Sequence, residues 1–352
     1  MSTYEIKTWT ANNKSHTGHS AHLSRWALLP LFAVILLAGC RNNSDTGQAS
    51  DGQHITRFEQ IIFEQSDIDI QSRLRQTLQK HPDIPLRIRP DDEDYMQLIY
   101  GFVADPTVRE IYDTVQQLYR DLGWLEKQLF PALQRAHELC PVVNYQNAYT
   151  CVLADFDYDS RVVAQDSSLR IALDIYALPS FAKFGYFGLP LFIVNMCNSQ
   201  QILSDCIIAI AKQHITTPKQ PLTLLDYMIC EGKALYFADR VLPSVPDSIK
   251  IRYTKEQYEW VRGNEQDIWA YFVNNQLLYE TDYMRFHNFI DDAPKTNAFK
   301  NSAPRTTQYI GWQIVNQYMK RNNCDIADLL KEPDSQKILK LSGYKPNKTF
   351  RH

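Results

Sequence analysis

The apolar run Trp26–Leu37 ends in Ala38-Gly39-Cys40, and that junction constrains everything downstream. The run has twelve residues, whereas a helix that crosses hydrocarbon needs about 20. Lys7, Lys14 and Arg25 against Glu5 make the preceding segment positive. A positive leader, a short hydrophobic core and small residues before a cleavage point read as a secretory signal. Whatever folds must therefore be built from the residues after it, outside the cytoplasm.

A cysteine directly after Leu37-Ala38-Gly39 is the lipobox pattern of bacterial lipoproteins, in which the thiol is lipidated and the leader removed just before it. Residues 1–39 read as a lipoprotein signal peptide. Residues 40–53 read as the lipidated Cys40 and a flexible tether, because Arg41 to Gln53 carry no large apolar side chain. Each buried methylene of an acyl chain adds about 0.8 kcal/mol, and two or more chains make attachment stable. The expected location is the cell envelope, at an inner or outer membrane, with the covalent lipid at Cys40 as the only non-protein group. Residues 54–352 are left for a single folded domain.

Charged residues make up 22% and the net charge is -3, which argues against a basic face for nucleic acid. Besides Cys40 there are Cys140, Cys151, Cys197, Cys206, Cys230 and Cys324. In an oxidising compartment they permit disulfides, with pairing unassigned and buried free thiols as the alternative. The hydrophobic spacing predicts helices from a Ser66-Asp67 cap to Pro82, over Asp91–Phe102, Thr107–Leu122 and Trp124–Leu139, and strands over Tyr149–Asp155, Arg161–Val163 and Leu169–Tyr176. Helices resume over Ser199–His214, Thr223–Arg240 with a Thr-x-x-Asp start, and Thr307–Arg321. Thr254 is placed to cap a further helix, and Tyr283–Arg305 reads as a long loop. The class is α+β, predominantly helical with a small sheet.

A strand, a helix ending in His214 and a second helix carrying Glu231 follow the order of HExxH zinc peptidases. With His214 as the second histidine, the register reads Ile210-Ala211-Lys212-Gln213-His214. The first ligand is then isoleucine and the general base alanine. A catalytic zinc needs three protein ligands and an open position, so His214 and Glu231 are at most remnants and no working metal site is expected. Asp155, Asp157 and Asp159 match the first ligand positions of a calcium loop, but Ser160 replaces the glycine and Asp166 the distal glutamate. No GxSxG or phosphate-cradling glycine loop occurs.

Several segments carry a resemblance to a known family. They are Glu231-Gly232-Lys233-Ala234-Leu235-Tyr236-Phe237, Leu242-Pro243, Tyr253-Thr254 and Asn264-Glu265-Gln266-Asp267-Ile268-Trp269. Ala293-Pro294-Lys295-Thr296, Gly311-Trp312-Gln313-Ile314-Val315, Tyr318-Met319 and Ser342-Gly343-Tyr344-Lys345-Pro346 continue the series. In that order they resemble the gliding-motility-associated lipoproteins of the GldB type from Bacteroidetes. The resemblance implies an envelope lipoprotein tied to gliding motility and type IX secretion, with partners in that machinery. It also implies a zincin-peptidase-like fold with a decayed active-site helix, in which Ile210 and Ala211 mark the lost ligand and base.

The reading is therefore a lipid-anchored binding or scaffolding protein rather than an enzyme. Its expected groove lies between the 199–214 and 223–240 helices and the 283–305 loop, with Lys233, Tyr236, Trp260, Trp269 and Trp312 as contributors. A divergent metal-dependent hydrolase and a glycan- or peptide-capturing lipoprotein are the alternatives.

Overall fold

Short polar side chains set most of the helix starts in this chain. The computed structural model describes residues 53–64, 68–82, 84 and 86–347. The leader 1–39, Cys40, the tether to residue 52 and the Ser66-Asp67 cap lie outside the described residues. A two-residue strand, β1 (Thr56–Arg57), leads into α1 (Phe58–Phe63), α2 (Ile70–Lys80), α3 (Glu93–Ala104), α4 (Pro106–Leu118) and α5 (Gly123–Leu139). Asp69, Asp92 and Asp105 accept backbone N–H bonds at the starts of α2, α3 and α4. Pro106 fills the first position of α4, where its missing N–H would have had no partner.

The sheet comes next. β2 (Asn147–Cys151), β3 (Val162–Gln165) and β4 (Ser168–Ala172) join β1 in the order β1-β2-β4-β3. β1, β2 and β4 run parallel, and β3 is antiparallel to β4 with Val163 opposite Arg170. The β3–β4 hairpin closes over Asp166 and Ser167, both with positive φ (46° and 67°), the geometry that matches strand twist in two-residue loops.

Two strands are shorter than their apolar pattern predicts. The strand expected over Leu169–Tyr176 stops at Ala172, and α6 (Leu173–Tyr176) is a helical turn. The one expected over Tyr149–Asp155 stops at Cys151. Asp174 explains both ends. From α6 its carboxylate accepts from the backbone N–H of Ala154 (2.8 Å) and Leu153 (3.3 Å), and these bonds replace a continued ladder. Burial pushes the Asp174 carboxyl up to about 6.

The six described cysteines are free: Cys140, Cys151, Cys197 and Cys206 are buried, and Cys230 and Cys324 half-buried. The disulfides that the compartment permits do not form among them. The buried thiols pack as small apolar side chains, and desolvation raises the Cys151, Cys197 and Cys206 thiols.

The second half is helical: α7 (Leu191–Met196), α8 (Ser199–His214), α9 (Leu224–Val241), α10 (Asp247–Lys250), α11 (Lys255–Gly263), α12 (Glu265–Asn274), α13 (Tyr283–Phe286), α14 (Thr306–Arg321), α15 (Ile326–Lys331) and α16 (Ser335–Ser342). Thr223 with Asp226 and Thr254 with Gln257 form capping boxes at α9 and α11. α9 belongs to two hydrophobic clusters. Ala234, Phe237, Ala238 and Val241 join the core of the sheet, α1–α5 and α8. Leu224, Leu225, Met228, Ile229 and Leu235 join a second core with α11, α12, α14 and α16. The architecture is thus α+β, mostly helical with a small four-stranded sheet. Among the described residues no helix is long and apolar enough to cross a membrane.

α9 and α14 touch at their backbones. A Cβ on Gly311 would lie 1.8 Å from the Met228 carbonyl oxygen, and one on Gly232 would lie 2.4 Å from the Gly311 carbonyl. Neither clash can be relieved by a side-chain rotation. Gly311→Ala should therefore lower stability by about 3 kcal/mol, the upper end of what overpacking a tight core typically costs, as read from chemical denaturation. Gly263→Ala, which meets nothing within 4 Å, should lose far less. Asp174 sets a second expectation. Its folded-state pKa lies above the unfolded value, so the native state holds the extra proton between about pH 4 and 6 and stability declines as pH rises through that window. Asp174→Asn should remove this decline, on the order of 2–3 kcal/mol, in denaturation curves taken at pH 4 and pH 7.

Candidate functional site

One face of α8 carries Gln201, Asp205 and Lys212 in a helix whose buried residues are mostly apolar. Asp205 is buried and takes four bonds. Arg161 donates through Nε (3.0 Å) and Nη2 (3.5 Å), the Tyr176 hydroxyl donates at 2.7 Å, and Arg252 donates through Nη1. Burial alone would push the Asp205 carboxyl up, but the two guanidiniums hold it far below the carboxylate range. The Tyr158 ring lies against both cations, 4.4 Å from Arg161 and 5.3 Å from Arg252.

Arg252 follows α10 in a left-handed conformation (φ 58°), which costs a non-glycine residue about 1–2 kcal/mol. Its bonds to Asp205 and to the Met196 carbonyl (2.7 Å) hold it there. Arg305, also left-handed (φ 46°), precedes α14. Its Nη2 donates to the carbonyls of Arg252 (3.0 Å) and Ile251 (3.3 Å), and its Nε lies 3.2 Å from the Asp292 carboxylate. The Tyr253 hydroxyl closes the strap by donating to Pro304 O (2.6 Å) and Arg305 O (3.1 Å). Residues from before β3, from α8, from after α10 and from the 283–305 segment therefore meet in one charged centre.

Beside it, Lys212 Nζ stands 2.7 Å from Glu231, and Gln308 on the first turn of α14 donates to the same carboxylate at 3.4 Å. This geometry corrects the HExxH-like register. The α8 residue that meets Glu231 is Lys212, and the position one turn before it is Ile208. His214 lies 200° further round the helix from Lys212. There it meets the Tyr145 ring edge-on at 6.1 Å, and burial lowers its pKa. His214 and Glu231 consequently do not converge as a remnant pair, while Ile210 and Ala211 are fully buried. Asp155, Asp157 and Asp159 form successive Asx turns, with Asp155 accepting from Asp157 N and Asp157 from Asp159 N, both at 3.2 Å. Among the described residues no three His, Cys, Asp or Glu side chains are grouped to hold a metal.

The proposed groove side chains are dispersed. Lys233 is buried and donates to the Glu332 carbonyl. Trp312 is buried, with Lys250 Nζ 5.6 Å from its ring. Neither lines an open groove: Lys233 reaches from α9 to the residue after α15, and Trp312 sits in the core that α14 shares with α9. Tyr236 lies under Arg240 (5.9 Å), Trp260 against Phe299 (5.9 Å) and Trp269 edge-on to Tyr344 (5.1 Å). The centre that does form, Asp205 with Arg161, Arg252 and Arg305, was not singled out by motif. A lone acid inside the apolar text Leu203-Ser204-Asp205-Cys206-Ile207 was its one sequence signal.

A family model described as gliding motility protein GldB matches residues 39–346. No curated protein and no solved structure matches the chain.

Removing the hub of the centre would leave the buried Arg252 without its counter-charge and take from the half-buried Arg161 the carboxylate it bonds. Asp205→Ala should cost about 3–5 kcal/mol, measured by urea denaturation. Asp205→Asn should also destabilise the protein, because it keeps the shape but loses the charge that pairs the guanidiniums.

Proposed function

Because the chain belongs to the family of the gliding motility protein GldB, we propose that it serves motility as a lipid-anchored envelope protein that binds or scaffolds rather than catalyses. The gliding role comes with the family, and the lipobox at Leu37-Ala38-Gly39-Cys40 supports the anchor. The observation that carries the non-catalytic half of the reading is the Lys212–Glu231 contact at 2.7 Å. In a peptidase ancestor, a metal ligand would face Glu231 from the position of Lys212. Here an ammonium, which ligates no metal while protonated, balances that carboxylate. The partners in this reading are components of the gliding and type IX secretion machinery, and no cofactor beyond the lipid is required.

Two measurements on the full chain test the two halves. Cys40→Ala protein should leave the membrane fraction in carbonate extraction, while the wild type stays; a variant that still pellets would overturn the anchor. Purified wild-type protein should carry no stoichiometric zinc. Zinc bound one-to-one and lost in Glu231→Ala would overturn the non-catalytic reading and restore a hydrolase.

A further inference from the structure

Between Asp174 and Asp205 the chain carries no acidic residue, and Lys183 is its only charge. This run leaves the sheet at the carboxyl end of β4, through α6. Within it Phe184, Tyr186, Phe187, Leu189 and Phe192 are half-buried against the sheet-side core, and Leu191 is 57% exposed. Gly185, Tyr186 and Phe187 are all left-handed (φ 58°, 52° and 55°), a turn that costs the two non-glycine residues about 1–2 kcal/mol each. Aromatic stacking holds it. Phe187 stacks on Phe156 at 3.8 Å and on Phe184 at 5.0 Å, and meets the buried Phe181 edge-on at 5.6 Å. The Tyr186 N–H closes the turn on the Phe181 carbonyl at 3.3 Å. An aromatic face that would otherwise collapse inward is therefore kept at the surface by the fold.

Composition selects what covers this face. From Phe181 to Met196 the polar side chains are Lys183, Tyr186 and Asn195 alone. A specific protein interface carries about one hydrogen bond per 100–200 Å², and this face has few groups to make them. A membrane interface instead takes aromatic and leucine side chains with a basic residue whose head stays in the wet layer. Lys183 is that residue: its ammonium lies 4.8 Å over the Phe184 ring, at the rim, where it pairs with Glu110 of α4. A second exposed apolar segment, Tyr279, Tyr283 and Met284, is interleaved with Glu280 and Asp282 and lacks this character. Chain length supplies the bilayer. At about 3.4 Å per residue, residues 40–52 span up to about 45 Å from a lipidated Cys40. Gln53 stands beside Gln146 and Asn147 at the start of β2, whereas the aromatic face follows the far end of the parallel β4. These strands have five residues each, about 17 Å, so the preceding chain is long enough for either end of the sheet to meet lipid.

We propose that the segment Phe181–Phe192 docks on the lipid bilayer, with Phe184, Tyr186, Phe187 and Leu191 in the headgroup and upper acyl region and Lys183 at the level of the phosphates. The inference rests on the lipid-anchor reading: Cys40 supplies the attachment, and the aromatic segment decides which way up the domain stands. A face of this size binds a bilayer weakly by itself, because the apolar area it buries is small. A chain fixed to the same membrane presents it at an effective concentration in the millimolar range, where weak binding suffices. Docking by this face turns the start of β2 away from the lipid.

The test uses the full chain reconstituted in vesicles of phosphatidylethanolamine and phosphatidylglycerol. Flotation on a density gradient reads the anchor. An environment-sensitive dye on Leu191→Cys or on Val142→Cys reads the docking; Val142 is 53% exposed and lies shortly before β2, at the opposite end of the sheet. Nitroxide groups on the lipid acyl chains quench from the bilayer and iodide quenches from water. The unsubstituted chain, treated with the same dye, gives the background from its own thiols. The Leu191 dye should shift to the blue and lose most of its emission to the nitroxide lipid while iodide leaves it bright, and the Val142 dye should do the reverse. Nitroxide quenching of the Val142 dye alone, of both dyes equally or of neither, in vesicles that carry the protein to the top of the gradient, would sink the docking and leave the anchor standing. Protein that does not float overturns the anchor and this inference with it. A Leu191 dye that iodide reaches in vesicles but misses in native membranes assigns the face to a protein partner and overturns the lipid assignment.

Discussion

The backbone contact between Gly232 on α9 and Gly311 on α14 sets the rest of the helical half. Packed helices normally keep their axes about 8–10 Å apart because side chains intervene. Here even a methyl group at either glycine would run into backbone, so the two helices meet with no side chain between them at this point. α9 reaches the sheet-side core with Phe237 and Val241 and the second core with Met228 and Ile229. Its contact with α14 therefore joins one core to the other. The same approach brings Gln308 to Glu231 and sets the start of α14 near the buried arginines.

Hydrophobic burial is non-directional and does not by itself choose how α8, α10 and α14 are turned about one another. The Asp205 centre does. Arg161 arrives from the turn before β3 and Arg252 from the segment after α10, and both must meet one carboxylate with their remaining N–H groups directed elsewhere. An arrangement that misses either contact leaves a guanidinium without its counter-charge, which is far costlier than a slipped apolar contact. Two left-handed arginines, at positions 252 and 305, show that this part of the chain accepts backbone strain to keep the pairing.

The local elements were largely readable from sequence. Ser199–His214 agrees with α8 residue for residue, because Asn198 can cap it and its apolar periodicity is sustained. The Thr223 and Thr254 caps are local chemistry too. What spacing could not reveal was which side of α8 faces α9. Lys212 and His214 are two residues apart, yet they look in nearly opposite directions, and only packing says which of them meets Glu231. The arginine centre was illegible for a different reason. Its pairs join residues 44 and 47 positions apart, and no local pattern encodes such a partner. Trp312 and Lys233 were misplaced because aromatics and long amphipathic side chains serve interfaces and interiors alike.

The two charged groups on α8 differ in what the fold requires of them. Lys212 and Glu231 are each partly exposed, at 37% and 25%, and a pair in such a setting contributes about 0–1 kcal/mol. The fold could lose it with little harm, so stability alone does not explain a lysine opposite Glu231. Asp205 is the reverse case: desolvated and bonded to two guanidiniums and a tyrosine hydroxyl, it cannot be exchanged without stranding the buried Arg252. Substitution at residue 212 can therefore change the chemistry of this face while leaving the architecture in place. Substitution at residue 205 tests the architecture itself, and the contrast between the two separates the role of the α8–α9 face from the integrity of the scaffold that presents it.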